Sequence, residues 1–309
     1  MDINAVKLKI VAEIDSRKSE LFNLSRRIHD NPELGFHEKR AAGWLTDYLG
    51  ENGFAVETGI CAFPTAFRAG YGQIPPAIAL LAEYDALPEL GHACGHNLIA
   101  VSAVAAGIGA RVAVDQMGGK VVVIGTPAEE LYAGKQVMAQ RGAFTNLDAA
   151  MMVHPGSHNS AATNALACQR LDIEFFGKAA HAAASPQSGI NALEAMVLAF
   201  NAIDALRQHI DSKSRVHGII TDGGSAANVV PAHSAGNFLV RAVDEKTLAD
   251  LKQRVLNCFI GAASATGARI EYKWEEHYYA PMLNNRAIGQ LFVSNLRRLG
   301  RKASLTDTD

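Results

Sequence analysis

Three short stretches of this 309-residue chain carry side chains whose types and spacing could do chemistry. In "GHACGH", His92, Cys94 and His96 stand at every second position among glycines. In "TPAEE", Glu129 and Glu130 are adjacent acids, and in "MMVHPG" His154 closes an apolar run. A thiolate, imidazoles and carboxylates form a borderline-soft donor set that suits zinc, or manganese or cobalt. The glycine between Cys94 and His96 lets both side chains reach one centre. Successive residues of an extended segment point opposite ways, so one glutamate can bind a metal while its neighbour faces substrate or water. A metal site with an uncoordinated carboxylate beside it suits hydrolysis. The cation acidifies water and polarises a carbonyl, and the carboxylate takes the proton.

Each stretch also has a plainer reading: a turn cysteine and histidine, a solvated acid pair, a histidine packed at a strand end. Asn97 is a plausible N-cap for the helix that follows, which would put Cys94 at a helix N-terminus where the dipole favours thiolate. That placement keeps a thiol hydrolase with Cys94 as nucleophile among the rivals. A non-catalytic binding or regulatory protein is another.

The elements around these stretches favour convergence. Three continuous apolar runs, "AIALLA" (77–82), "KVVVIG" (120–125) and "DAAMMV" (148–153), read as strands buried on both faces of a parallel sheet. Each ends in polar residues: Glu83 and Asp85, then "TPAEE", then His154. In open parallel sheets, sites form at the carboxyl ends of strands. "NLIAVSAVAAGIGARVAV" is long enough for the first crossover helix, and "GKQVMAQRGAF" supplies a shorter second one. Ahead of them, residues 3–30 read as one amphipathic helix and about 37–52 as another, ended by "ENG". After about residue 165 the rhythm becomes β-α-β-β-α-β, the ferredoxin-like signature, followed by a last helix at about 284–299. The expected fold is therefore α/β: a mostly parallel sheet domain with an inserted ferredoxin-like domain.

Composition excludes other classes. Hydrophobic residues are 49%, charged residues 19%, and the formal net charge is −2. No basic stripe suggests nucleic acid. No run of about 18 apolar residues is expected to exist, so none is expected to span a membrane, and the charged N-terminus lacks a signal core. Four cysteines (Cys61, Cys94, Cys168, Cys258) are too few for a disulfide scaffold, which fits a cytoplasmic protein.

Taken together, "HDNPELGFHE", "EYDALPELGHACGHN", "GTPAEE" and "GKAAHAAASP" resemble the two-metal aminoacylase and carboxypeptidase family. They are most similar to its amidohydrolase branch of hippurate hydrolases, auxin-conjugate hydrolases, aminobenzoyl-glutamate hydrolase subunits and Xaa-Arg-type dipeptidases. The match runs from about residue 25 to the end, with the motifs in family order.

The resemblance implies a metal-dependent amidohydrolase or dipeptidase acting on an N-acyl amino acid or dipeptide, with two divalent metal ions, zinc foremost. It implies Cys94, His96, Glu130 and His154 as metal ligands and Glu129 as the general base. Asp85 would be an acid behind the site that orients a ligand. His181 would stabilise the oxyanion, and Asn228 and Arg241 would contact substrate, Arg241 through a carboxylate. Residues 1–165 would form the first part of the catalytic domain. Residues 166–279 would be a lid that mediates a homodimer, and 280–309 an incomplete return to the catalytic domain. His92 is given only a supporting part. The family supplies one more histidine ligand late in the chain, and no histidine follows His277. A C-terminally truncated, weakly active or non-catalytic homologue is the expected alternative.

Overall fold

The computed structural model describes residues 2–306. By contact the chain divides into two units, one up to Ser157 and one from His158.

The first unit opens with helices α1 (Ile3–Ser16), α2 (Lys18–His29) and α3 (Lys39–Glu51). The single helix expected over residues 3–30 is broken at Arg17, whose φ of −101° and ψ of 8° leave helical geometry. The break lets α1 and α2 each pack along the long helix α4 (His96–Met117). Gly109 of α4 is where α1 presses closest: a Cβ there would meet the Ile14 side chain at 2.8 Å.

Strands β1 (Ala55–Thr58), β2 (Phe67–Gly72), β3 (Ala77–Ala82), β4 (Lys120–Gly125) and β5 (Ala149–Met151) form one sheet in the order β1-β2-β4-β3-β5. β3 runs parallel to both β4 and β5. β2 is antiparallel to β4 and to β1, so it alone is reversed and the sheet is mostly parallel. The register aligns the carboxyl ends of the three parallel strands, with Ala82 opposite Gly125 and Leu80 opposite Met151. That alignment brings the three polar stretches to one rim.

Helix α4 is 22 residues long and apolar enough to cross a membrane by length and composition, which corrects the expectation that no such stretch exists. Its composition has a local cause. Ile99, Ala100, Val104 and Ile108 are buried, the last three in a core shared with Leu24, Ile28 and Leu45 of the N-terminal helices and Ala69, Val121 and Val123 of the sheet. A helix covered on several sides has few positions left for charge.

The second unit carries β6 (Ala167–Phe176), α7 (Ala192–Arg207), β7 (Arg215–Asp222), β8 (His233–Ala242), α8 (Glu245–Thr266) and β9 (Arg269–Trp274). Its sheet order β7-β8-β6-β9, antiparallel throughout, is the ferredoxin-like arrangement read from the sequence. Strict alternation along β8 buries Phe238, Val240 and Ala242 against Met196 and Ala199 of α7 and Val255 and Phe259 of α8. Helix α9 (Arg286–Arg298) follows, capped by Asn285, whose side chain accepts from the Ala287 and Ile288 amides. Residues after 280 fall in this second unit because they pair with the segment just before β6. Met282 N–H donates to Ala165 O, and the Asn284 side chain to Thr163 O. Ala161 N–H donates to Ser304 O, and Ser304 N–H to Asn159 O. By contact, the boundary between the two units lies after Ser157.

Candidate metal centre

His96 is the centre of the rim. The helix expected to follow an Asn97 cap starts two residues sooner: Gly95, in the left-handed region at φ 79°, is its cap and His96 is its first helical residue. Asn97 is not the cap, because its amide donates to Ser25 Oγ at 3.0 Å and ties α4 to α2. Gly95 also allows a close approach, since a Cβ there would lie 2.9 Å from Pro155 Cγ, next to His154. No L side chain fits that position without strain.

The His96 ring is oriented by Asp85. Its Nδ1 lies 3.0 Å from both Asp85 Oδ1 and Asp85 O, which fixes the proton on Nδ1 and leaves the Nε2 lone pair facing the rim. Around Nε2 stand Glu83 Oε2 at 3.4 Å, Glu130 Oε1 at 3.7 Å and Glu129 Oε2 at 3.9 Å. Nε2 and Glu83 Oε2 are buried without a hydrogen-bond partner. A lone pair ringed by carboxylates at these distances is a donor set for a cation. Burial opposes charging His96, but the Asp85 bond and the charges of Glu83, Asp85 and Glu130 outweigh it and hold the imidazole above its ordinary range. Burial likewise pushes Asp85 up, yet its bonds from His96 and from the Glu130 amide (2.9 Å to Oδ2) win and keep it below the ordinary carboxylate range.

Glu129 and Glu130 do not lie on an extended segment as expected. Ala128, at φ 58° and ψ 47°, turns the chain into the short helix α5 (Glu129–Tyr132), so the two acids diverge by a helical step rather than by strand alternation. Both still reach His96. Burial, then the charges of Glu83 and Glu130, raise the Glu129 carboxyl against the opposing pull of Lys135 and His96. A raised carboxylate is suited to proton transfer near neutrality.

The Cys94 thiol hydrogen-bonds Glu130, and this bond, burial and the surrounding acids push it up to about 11. The helix dipole therefore does not make it a free thiolate, contrary to the expectation from its place before α4. A nucleophilic cysteine needs an electropositive surrounding, whereas an anionic one suits a thiol that ionises against a bound cation. His154 is exposed, and its Nδ1 lies 2.9 Å from Pro155 O, leaving Nε2 for a ligand. Its ring meets His96 edge-on, with centroids 6.1 Å apart.

Two overlapping groups of potential donors result, each with ligand atoms within 4.8 Å of one another: Glu83, His96 and His154, and His96, Glu129 and Glu130. The donor set thus fits divalent metal. Glu83 was not singled out as a site residue by sequence reasoning. Its position two before Asp85 in an extended stretch would have put both acids on one side. Lys135, on helix α6 (Gly134–Gln140), pairs with Glu83 and supplies the cluster's cation. His92 is buried, and burial above all holds its imidazole below the ordinary range.

The remaining three residues belong to the second unit. His181 and Asn228 come together: Ala182 N–H donates to Asn228 O at 3.0 Å, and His181 pairs with Val229. His181 Nδ1 accepts from the Ala183 and Ala184 amides at 3.2 and 3.1 Å, which leaves Nε2 as the protonated, outward nitrogen. Arg241 does not join them. It lies eight residues along β8 from His233, opposite Cys168, so roughly 27 Å of strand separates it from the end that adjoins the Asn228 loop. Arg241 Nε is buried and unbonded.

Among known families, residues 169–263 match the model of the peptidase dimerisation domain. The chain is 39% identical to mouse Xaa-Arg dipeptidase over 97% of its own length and 73% of the relative's. It is 35% identical to one of the p-aminobenzoyl-glutamate hydrolase subunits of Escherichia coli over 93% of its length and 64% of the relative's. Among solved structures, an aminobenzoyl-glutamate utilization protein from Klebsiella pneumoniae aligns with TM-score 0.70 at 20% identity, covering 96% of this chain and 92% of that one. A dinuclear metal-binding peptidase of the M20 family from Bacillus subtilis aligns with TM-score 0.68 at 22% identity, covering 94% and 83%. At such identities the structural likeness speaks for the fold.

Proposed function

The chain belongs to the M20 family of metal-dependent peptidases and amidohydrolases, and from that premise we propose that it hydrolyses the amide bond of an N-acyl amino acid or dipeptide. The observation that carries the proposal is the buried, unbonded Nε2 of His96 ringed by three carboxylates.

In this reading Cys94, His96, Glu130 and His154 would hold two divalent ions, with zinc the best match to a mixed sulfur, nitrogen and oxygen set and manganese or cobalt as alternatives. When bound, such ions acidify water and polarise the substrate carbonyl. Asp85 keeps the proton of His96 on Nδ1 and, through the Glu130 amide, fixes the turn that carries both glutamates. Glu129 takes the proton from the attacking water and passes it to the leaving amine. Its upward shift narrows the gap between its proton affinity and that of its partners. His181 donates from Nε2 to the oxyanion, and Asn228 beside it binds the substrate near the scissile bond. Arg241 pairs with a substrate carboxylate.

Because Arg241 and the His181–Asn228 pair lie at opposite ends of one strand, a single copy of the second unit cannot offer all three to one small ligand. A homodimer through this unit, the assembly that the matched domain's description suggests, would let one copy supply Arg241 and the other His181 and Asn228. The test is hydrolysis of a panel of N-acyl amino acids and dipeptides by the purified chain, before and after chelation and on adding back zinc, manganese or cobalt. Activity lost to the chelator and regained with metal supports the proposal. Activity that ignores the chelator refutes it.

A further inference from the structure

One fully buried carboxylate stands behind the cluster without a part in the chemistry above. Glu38, in "NPELGFHE", is 0% exposed. Its Oε1 accepts from the Ala128 amide at 2.8 Å and its Oε2 from Thr65 Oγ1 at 2.9 Å. The backbone of Glu38 is itself pinned, because Ala42 N–H donates to its carbonyl at 3.0 Å in the first turn of α3. Thr65 is held in turn: its carbonyl accepts from the hydroxyl of buried Tyr84 at 2.6 Å, and Tyr84 lies between Glu83 and Asp85.

What Glu38 holds is strained. Ala128 is fully buried in the left-handed region, a conformation that an alanine adopts only at a cost. Directly after it come Glu129 and Glu130. The next amide but one, that of Glu130, is held by Asp85. Two buried carboxylates thus grip the two ends of one backbone turn, and the turn carries the acids that face His96. A carboxylate is costly to bury, and burial does push the Glu38 carboxyl up against its two hydrogen bonds.

We infer that Glu38 is a positioning residue: its hydrogen bond to the Ala128 amide holds the left-handed turn that aims Glu129 and Glu130 at the metal centre. The inference rests on the reading of that cluster as a metal centre. It predicts that what matters is the acceptor oxygen rather than the charge, and that a glycine at position 128, free of the left-handed penalty, relieves the need for it.

The experiment is a Co2+ titration of the metal-free chain, read by the thiolate-to-cobalt absorption that Cys94 would give, with a thermal melt of each variant. Glu38→Gln keeps an oxygen for the Ala128 amide and turns its own amide to the Thr65 hydroxyl, so its Co2+ affinity should stay within about threefold of wild type. Glu38→Ala should lose about tenfold or more, as residues supporting metal ligands do. Ala128→Gly in the Glu38→Ala background should recover most of that loss without restoring the melting temperature. If Glu38→Ala does not fold, Glu38→Asp, one methylene too short for the Ala128 amide, takes its place in the same comparison. Wild-type affinity in the Glu38→Ala or Glu38→Asp protein overturns the inference. So does an equal loss in Glu38→Gln, which would mark a charge effect, or a failure of Ala128→Gly to recover affinity. A wild-type chain that takes up no Co2+ refutes the metal reading itself, and is told apart from these outcomes because the parent protein fails first.

Discussion

Asp85→Asn isolates the orienting part of the metal centre with almost no change in shape. Asp85 is 1% exposed, and its two oxygens accept from two different donors, His96 Nδ1 and the Glu130 amide. Asparagine has one acceptor oxygen and one NH2 group. If its oxygen stays with the Glu130 amide, its NH2 faces His96 Nδ1 and can only donate. The Nδ1 proton then faces a donor and keeps only the Asp85 carbonyl as acceptor, so the balance shifts toward the tautomer protonated on Nε2, the nitrogen that faces the proposed ions, at the expense of its ligating lone pair. If the amide flips, the Glu130 N–H meets an NH2 group and the turn loses its anchor. Either arrangement sacrifices one charge-assisted hydrogen bond of about 1.5–3 kcal/mol. Outer partners of metal ligands typically contribute 10–100-fold in affinity, about 1.4–2.8 kcal/mol, so the two magnitudes agree. Competition between the protein and a chromophoric chelator for Zn2+ measures it directly. Asp85→Asn should bind about 10–100-fold more weakly, and added Zn2+ should raise its melting temperature less than it raises that of wild type. Unaltered Zn2+ affinity in a folded Asp85→Asn protein would refute the claim that Asp85 sets the His96 tautomer.

Other perturbations test separate parts of the structure. Gly95→Ala places a Cβ against Pro155 at a φ of 79°, so it should destabilise the protein by about 1–2 kcal/mol and weaken metal binding, seen by thermal melting and Zn2+ competition. His233 bridges Asp222 (2.6 Å from Nδ1) and Glu174 (2.9 Å from Nε2), and these bonds raise its affinity for a proton. Its stabilising contribution is therefore fully present below about pH 6.5, the ordinary imidazole value, and is lost as pH rises through its raised value. Melting curves across that window should show a decline that His233→Gln flattens. Phe259→Ala, which empties a fully buried site between α8 and the sheet of the second unit, should cost about 3–5 kcal/mol in chemical denaturation.

Periodicity and punctuation made the architecture legible. The three apolar runs that end in polar residues led to three parallel strands with one shared rim, because burial on both faces leaves a mark that a single sequence preserves. What was not legible depends on contacts between distant segments. Helix α4 begins at His96 because Gly95 can adopt a left-handed turn against Pro155, sixty residues away, while Asn97 looked the better cap by local preference. The divergence of Glu129 and Glu130 depends on Ala128 in a conformation that alanine seldom adopts, and that conformation is held by Glu38 from ninety residues earlier. Glu83 went unassigned because an acid beyond a strand is ordinarily solvated, and only the fold shows it buried against His96 and Lys135. The family motifs make Asn228 and Arg241 both substrate contacts, and only the fold shows that Arg241 lies at the far end of β8 from the strand end that adjoins the Asn228 loop.

The central claim is that Glu129 moves the proton at a metal centre built from Cys94, His96, Glu130 and His154. Glu129→Gln tests it most directly, because the amide keeps the volume and cannot take a proton. Metal content and turnover of N-acyl amino acids and dipeptides should be measured on the same preparations of wild type and variant. The expected result is a wild-type metal content with turnover reduced by at least about 100-fold, the scale of a positioned general base. Turnover equal to that of an active wild type in the Glu129→Gln protein would contradict it.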